Sequence, residues 1–213
     1  MSDDQETTNA DVLGGRMATC LFLSRLFRVE VDQELYDTLV SMRFPTNTGN
    51  ALVDEGYRMI CGYLSQADGT VLTELAVDYV RAFIGSGNDG FSAAYPYESV
   101  YTSEGGLMMQ DAYAEVLHVY RGAGFAKNPG FKEPEDHLAV ELAFMALLCG
   151  RAVEALRAGD EAGAERQLRA QREFLSDHLL NWIDRFTSDL SKAAEDGFYF
   201  ALATFTEHLL PAY

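Results

Sequence analysis

The 213-residue chain carries 33 acidic residues against 16 lysines and arginines, a formal net charge of −17, and 48% of its residues are hydrophobic. That apolar content suits one globular domain. A strongly negative field repels phosphate backbones and anionic membrane surfaces, so the composition disfavours nucleic acid and anionic lipid as partners. It favours a cationic partner, with plain solubility as the alternative explanation of the acidity.

The cysteines and the N-terminal sequence predict a cytoplasmic location. Cys20, Cys61 and Cys149 are odd in number and lack C-x-x-C spacing, which predicts small buried side chains in a reducing compartment. No basic segment precedes an apolar run at the N-terminus, so no signal peptide is expected. No stretch approaches 18 uninterrupted apolar residues, so no membrane span is predicted.

Helical periodicity dominates the first part of the chain. Residues 1–11 are polar and acidic and are predicted to form a disordered N-terminus. Asp32 is a predicted N-cap, and a loop follows at Pro45. Apolar residues recurring at helical spacing predict helices over residues 12–27, 33–42, 52–68 and 72–83.

The segment of residues 85–106 differs from its surroundings and is predicted to be a long ordered loop. It is rich in glycine and serine and then aromatic, and Tyr95 precedes a proline, which favours extended backbone. Loops of this length in compact domains tend to be functional. Its tyrosines have two interpretations, covering the core or lining a groove, and Glu98 among them would suit a basic peptide. The tyrosines are Tyr95, Tyr97 and Tyr101.

The rest of the chain again has helical spacing. Pro134 is predicted to open a helix at its first turn, and Gly159 to stop it. Phe174, His178 and Trp182 continue a stripe to Phe186 that is interpreted as core. The predicted helices cover residues 107–120, 134–158, 161–177, 182–195 and 198–210. No strand-like alternation is present, so the fold is predicted to be all-α, an irregular helical bundle forming one domain over residues 12–213.

The acidic run Glu133-Pro134-Glu135-Asp136-His137 is the most distinctive candidate site. Carboxylates in the first turn of a helix complement its dipole and cap its free N–H groups, which is a purely structural explanation. A neutral imidazole at His137, beside Asp136, would instead suit hydrogen bonding to a partner. His137 and Glu141 share a helix face, yet a di-iron site needs two Glu-x-x-His motifs and only one is present, so no metal site is expected.

The usual catalytic constellations are missing from the sequence. It has no Walker A motif, no G-x-S-x-G and no dinucleotide fingerprint. Asp136, His137 and Ser99 resemble a triad only in residue type, because sequence-adjacent Asp and His rarely point at each other. The sequence therefore predicts no enzyme, no catalytic residue and no cofactor.

Four stretches together resemble the TorD/DmsD/NarJ family of redox-enzyme maturation chaperones, over about residues 16–210. They are Tyr79-Val80-Arg81-Ala82-Phe83-Ile84-Gly85, Tyr95-Pro96-Tyr97-Glu98-Ser99-Val100-Tyr101, the acidic run with Glu141-Leu142-Ala143-Phe144-Met145, and Phe174-Leu175-Ser176-Asp177-His178-Leu179-Leu180-Asn181-Trp182. The DmsD branch often has a tryptophan after the Phe-Ile-Gly, where this chain has Phe91 as the nearest aromatic.

The resemblance implies an all-helical chaperone that binds the twin-arginine leader of an apo molybdenum-cofactor oxidoreductase and holds it for cofactor insertion before export. It carries leader binding onto Asp136 and His137, and onto Tyr97, Ser99, Tyr101 and Gln110. From the residues themselves we expect segments 91–101 and 133–137 to be two walls of a groove. Glu98 would lie at its rim, and Glu133, Glu135 and Asp136 would grip paired arginines. The alternative is a loop that packs flat, with the leader bound elsewhere.

Other functions and assemblies stay open at this point. One alternative is a guanine-nucleotide-binding accessory protein, and another is a permanent scaffold subunit of a reductase complex. The glycine- and proline-containing loop of residues 122–133 is a credible hinge, so a homodimer formed by helix exchange is a further possibility, equal in weight to a compact monomer.

Overall fold

A computed structural model of the chain describes residues 3–66, 68–85, 93–194 and 196–213, and the all-α prediction is confirmed. Across these ranges the extended contacts are limited to an isolated antiparallel bridge between Tyr97 and His137. A π-helical turn, Leu175–Leu179, links α8 to α9, and a 3₁₀ turn, Leu210–Ala212, ends the chain. The helices are α1 (Asp3–Arg28), α2 (Gln33–Ser41), α3 (Ala51–Gln66), α4 (Val71–Phe83), α5 (Glu98–Thr102), α6 (Asp111–Gly122), α7 (Leu138–Arg157), α8 (Glu161–Phe174), α9 (Leu180–Ala194) and α10 (Phe198–Leu209).

Several predicted helix boundaries have the expected cause. The Asp32 carboxylate accepts a hydrogen bond from the Leu35 N–H at 2.8 Å, so Asp32 caps α2 as predicted. Gly159 has a φ of +70°, the left-handed conformation that stops a helix without a side-chain clash, and it follows the end of α7. The helix α1 begins at Asp3, inside the segment of residues 1–11 that the sequence predicts to be disordered.

Other boundaries differ from the prediction. The expected loop of residues 85–106 contains the short helix α5, and its residues 86–92, Phe91 included, lie outside the described part of the chain. Pro134 does not open a helix, because α7 begins only at Leu138. The reason is that the Asp136 carbonyl, which a longer α7 would use, accepts the Glu98 N–H at 2.9 Å. The helix predicted from residue 107 likewise begins at Asp111.

The chain forms two compact units, and the first consists of Met1–Arg28 and Tyr97–Asn181. In it α7 packs against both α1 and α8. Most of α7 is buried, which explains why its sequence is apolar on nearly every side. The Ser24 hydroxyl of α1 donates to the Ala139 carbonyl at the start of α7, at 2.6 Å.

The second unit consists of Val29–Pro96 and Trp182–Tyr213. Here α3 packs against α10, and the rings of Tyr57 and Phe205 lie 4.4 Å apart. The helix α3 turns its face of Val53, Gly56, Tyr57, Ile60 and Leu64 inward. The single domain predicted for residues 12–213 stays a prediction.

The cysteines do not all behave as expected. Cys20 and Cys149 are buried as predicted, but Cys61 is exposed. Cys61 follows Ile60 on α3 and so lies about 100° around the helix from the buried face. Within the described ranges, no helix combines the length and the apolar character that crossing a bilayer requires.

Gly56 lets α3 and α10 approach closely, which gives the first prediction. A Cβ at residue 56 would lie 2.7 Å from the Phe205 Cα, whereas a Cβ at Gly62 on the same helix meets nothing within 4 Å. We expect Gly56→Ala to lower the free energy of unfolding by about 1–3 kcal/mol through overpacking. Gly62→Ala should leave it unchanged or raise it by up to about 1 kcal/mol, because alanine favours helix. Urea unfolding followed by circular dichroism measures both, and equal effects would contradict the close approach.

Candidate functional site

The segments around Tyr97 and His137 are joined along their backbones. Tyr97 and His137 form an antiparallel bridge, and the next residue, Glu98, donates its N–H to the Asp136 carbonyl. The sequence predicts two walls facing each other across a groove, but the two segments instead pack directly together. The rings of Tyr97 and His137 are 5.0 Å apart and nearly perpendicular, and both side chains are buried.

The Asp136 carboxylate holds the start of α5. Its Oδ2 accepts the Ser99 N–H at 3.1 Å and the Ser99 hydroxyl at 2.5 Å. Both residues are fully buried. Since α5 begins at Glu98, the carboxylate serves as an N-cap supplied from a distant part of the sequence. A buried carboxylate with these two donors orders the loop rather than meeting solvent.

His137 caps α7 through its ring. Its Nδ1 accepts the Ala139 N–H at 3.0 Å, so the ring hydrogen of the neutral form lies on Nε2. Phe131 adds a second perpendicular ring contact at 5.0 Å. Burial, with a smaller contribution from the Lys127 charge, lowers the pKa of His137 to about 3, so the imidazole is neutral at physiological pH. Asp136 and His137 are both buried, so the start of α7 is not exposed to solvent at these two residues.

The contact between residues 97–99 and 136–137 is called the seam below. Glu133 and Glu135 form its half-exposed edge. The Tyr97 hydroxyl donates to the Glu133 carboxylate at 2.6 Å. Lys127 donates to the Glu133 carbonyl and lies 3.4 Å from the Glu135 carboxylate. These two carboxylates are therefore the members of the acidic run that a solvent-borne partner can reach.

Glu98 and His178 form a buried pair that the sequence does not predict. The His178 Nδ1 lies 3.1 Å from the Glu98 carboxylate, and both side chains are almost fully enclosed. Glu98 is thus not the exposed rim charge that we expect from the sequence. His178 belongs to the π turn and is buried, as the core stripe predicts, but burial of an imidazole also requires a polar partner. That requirement is the signal that could have identified the pair.

The remaining predicted site residues lie further along the chain. Tyr101 is half-buried within α5, and Gln110 is exposed at the N-cap of α6, where its side-chain amide donates to the Met108 carbonyl at 3.0 Å. The segment of residues 107–109 just before it is exposed, and Met109 has a φ of +58°.

The arrangement does not form a nucleophile and a base. Ser99 donates to Asp136 directly, and the His137 Nδ1 is occupied by a backbone N–H, so His137 does not stand between them as a triad requires. In the part of the chain that the structure describes, no three acidic, histidine or cysteine side chains are grouped so as to hold a metal ion.

The buried, neutral His137 makes stability depend on pH. The pKa is depressed on folding, so between pH 6.5 and about 3 the unfolded state binds the proton and stability falls as pH falls. His137→Asn keeps a capping oxygen but cannot titrate. Between pH 7 and pH 4.5, we expect its free energy of unfolding to fall by about 2–3 kcal/mol less than that of the wild type. Chemical denaturation at both pH values measures this difference. Parallel losses in the two proteins would contradict it.

The chain is similar in sequence to a known family and to named proteins. A family model described as nitrate reductase delta subunit matches residues 50–188. The chaperone protein TorD of Photobacterium profundum is 37% identical over 128 residues, and that of Vibrio cholerae is 36% identical over 131. These matches cover 60% and 61% of this chain and 56% of each relative, so the chain spans a little over half the length of these relatives.

A longer match exists at lower identity. The chaperone protein TorD of Vibrio atlanticus is 27% identical over 195 residues, which covers 86% of this chain and 85% of the relative. The resemblance noted from the sequence is confirmed: the chain belongs to the nitrate reductase delta subunit family, the TorD/NarJ family of molybdoenzyme chaperones.

Proposed function

We propose that the protein is a cytoplasmic chaperone that binds the twin-arginine leader of an apo molybdoenzyme and holds the enzyme for cofactor insertion before export. The relatives named above are called chaperones, which supports the general role. One observation carries the finer proposal. The 39 residues between Arg81 and Arg121 contain no lysine or arginine, and they include an exposed apolar segment.

The exposed apolar segment consists of residues 107–109. Leu107, Met108 and Met109 are 60%, 41% and 56% exposed. Three consecutive apolar side chains in solvent are unusual for a surface without a partner, and methionines adapt to varied apolar sequences. Glu104 and Asp111 flank the segment and are exposed. A surface that is apolar in the middle and acidic at its edges suits a peptide that carries both apolar and basic residues.

The predicted leader-binding residues divide into two groups in this proposal. Glu133, Glu135, Tyr101 and Gln110 are at least partly exposed and are proposed to contact the leader, with the carboxylates pairing with arginine. Tyr97, Glu98, Ser99, Asp136 and His137 are buried and are proposed to hold those contacts in place.

Leader binding should be electrostatically steered and should reach the exposed methionines. With a synthetic peptide of two adjacent arginines followed by an apolar stretch, we expect the association rate to fall several-fold as ionic strength rises from about 0.02 M to about 0.5 M. In a protein with ¹³C-labelled methionine methyl groups, the Met108 and Met109 resonances should shift on titration. Met42 on the second unit, 39% exposed, is the internal control and should not.

The opposite results are equally informative. A peptide that does not bind would contradict the proposal. An association rate that does not depend on ionic strength would mean that the negative charge serves solubility and not steering. Purification from native cytoplasm separates the alternatives. A precursor oxidoreductase alone supports the chaperone, a stoichiometric mature complex supports a permanent subunit, and retained guanine nucleotide supports the accessory protein.

The proposed homodimer by helix exchange depends on the loop of residues 122–133. Phe125 packs against Tyr120 and Phe144 with ring centroids 4.9 and 5.3 Å apart, and Arg151 donates to the Ala123 carbonyl at 2.9 Å. These contacts would have to break and re-form between copies. Light scattering over a range of concentrations, before and after refolding, tests this, and a strict monomer throughout would discard the exchange.

A further inference from the structure

A cleft of about 480 Å³ opens between α6, α7 and α8 within the first unit. Its apolar floor consists of Phe144, Leu148 and Phe174, each of them buried. Glu173 and Asp177 lie in its lining and are exposed. None of residues 97–99 and 136–137 lines the cleft, although His178 connects it to Glu98.

The π turn brings polar groups into this cleft. Leu175–Leu179 interrupts the α-helical hydrogen-bonding pattern between α8 and α9, and both Asp177 and His178 from this turn line the cleft. Single π turns inside longer helices are uncommon and are frequently found at functional sites.

His178 offers the cleft an acceptor of defined orientation. A carboxylate can only accept, so the Glu98 side chain fixes a hydrogen on the His178 Nδ1. The other ring nitrogen, Nε2, has no hydrogen-bond partner among the described residues. His178 is only 6% exposed, so what remains accessible of it faces the cleft that it lines.

The charges of the lining favour a cation. Glu173 and Asp177 contribute two negative charges, against one positive charge at Arg151. The Arg151 guanidinium is already directed at the Ala123 carbonyl, at the end of α6. An aromatic and aliphatic floor with carboxylates at the rim suits a side chain with a long apolar stem and a planar, donor-rich head.

We propose that this cleft binds an arginine side chain of the leader together with an apolar neighbour, the guanidinium meeting Glu173, Asp177 and the His178 Nε2. This rests on the proposed function and adds a second contact region to it. The exposed segment of residues 107–109 precedes α6, and the cleft includes the last turn of the same helix. Twelve helical residues span about 18 Å, which five or six extended residues of a leader can cover. One peptide can therefore reach both regions.

Gly122 provides a way to fill the cleft without disturbing the fold. It lines the cleft, and a Cβ added there meets nothing within 4 Å. Gly15 is a matched control in the same unit, helical and equally open, but outside this cleft. With the same arginine-pair peptide, we expect Gly122→Trp to weaken binding about tenfold or more and Gly15→Trp to change it less than about twofold, by calorimetry. Equal affinities of Gly122→Trp and the wild type would overturn the proposal.

Charge-neutral variants test the arginine assignment. Glu173→Gln with Asp177→Asn should weaken binding of the arginine peptide about tenfold. Glu154→Gln, exposed on α7 and outside the cleft, should not change it. A peptide whose arginines are replaced by glutamine should bind the wild type and the double variant equally weakly. If the double variant binds the arginine peptide like the wild type, an apolar occupant replaces the arginine and the proposal is wrong. A wild type that binds no peptide at all would contradict the proposed function itself, which distinguishes the two failures.

Discussion

Asp136 makes two contacts that influence where two helices begin, since its buried carboxylate accepts the N–H and the hydroxyl of Ser99 and its carbonyl accepts the Glu98 N–H. It caps α5 from 37 residues away, and the Asp136 carbonyl, bound to the Glu98 N–H, is withdrawn from α7. The helix α7 must then find another cap, and the His137 ring supplies it. Leaving a buried polar group without its hydrogen-bond partners typically costs about 1–3 kcal/mol, so these few hydrogen bonds favour one arrangement of the segment. The placement of Tyr97, Glu133 and Glu98 follows from it.

Burial separates the polar residues of this region into two kinds. Asp136, His137, Ser99 and Glu98 are enclosed, and each makes a hydrogen bond to another buried side chain or to the backbone, so they cannot meet a large ligand without opening the seam. Glu133, Glu135, Glu173 and Asp177 keep contact with solvent. In the proposed leader binding, the exposed carboxylates would make the contacts, because partly hydrated carboxylates exchange partners at little cost. The buried residues would hold the backbone that carries them.

The sequence predicts most of the helices because their causes are local. The inward face of α3, the Asp32 cap of α2 and the Gly159 stop of α7 depend on neighbours within one or two turns. The predictions fail where a partner lies far along the chain. The sequence predicts a helix start at Pro134 because it does not reveal that the Asp136 carbonyl accepts the Glu98 N–H. It predicts an exposed Glu98 because it does not reveal the buried contact with His178. Residue type and spacing select a set of polar residues as the candidate site, but long-range pairing decides which of them are buried.

The π turn, unlike the long-range contacts, is consistent with a pattern visible in the sequence. Phe174, His178, Trp182 and Phe186 are four apart, and each is buried. In a regular α-helix of 3.6 residues per turn, a step of four residues advances about 40° beyond a full turn, so three steps move a side chain about 120° around the axis. A turn with i→i+5 hydrogen bonds advances less per residue and reduces that drift. An aromatic stripe with strict four-residue spacing is therefore better satisfied by a helix that contains a wide turn. The turn also contains Asp177 beside His178, and both of these polar side chains line the cleft.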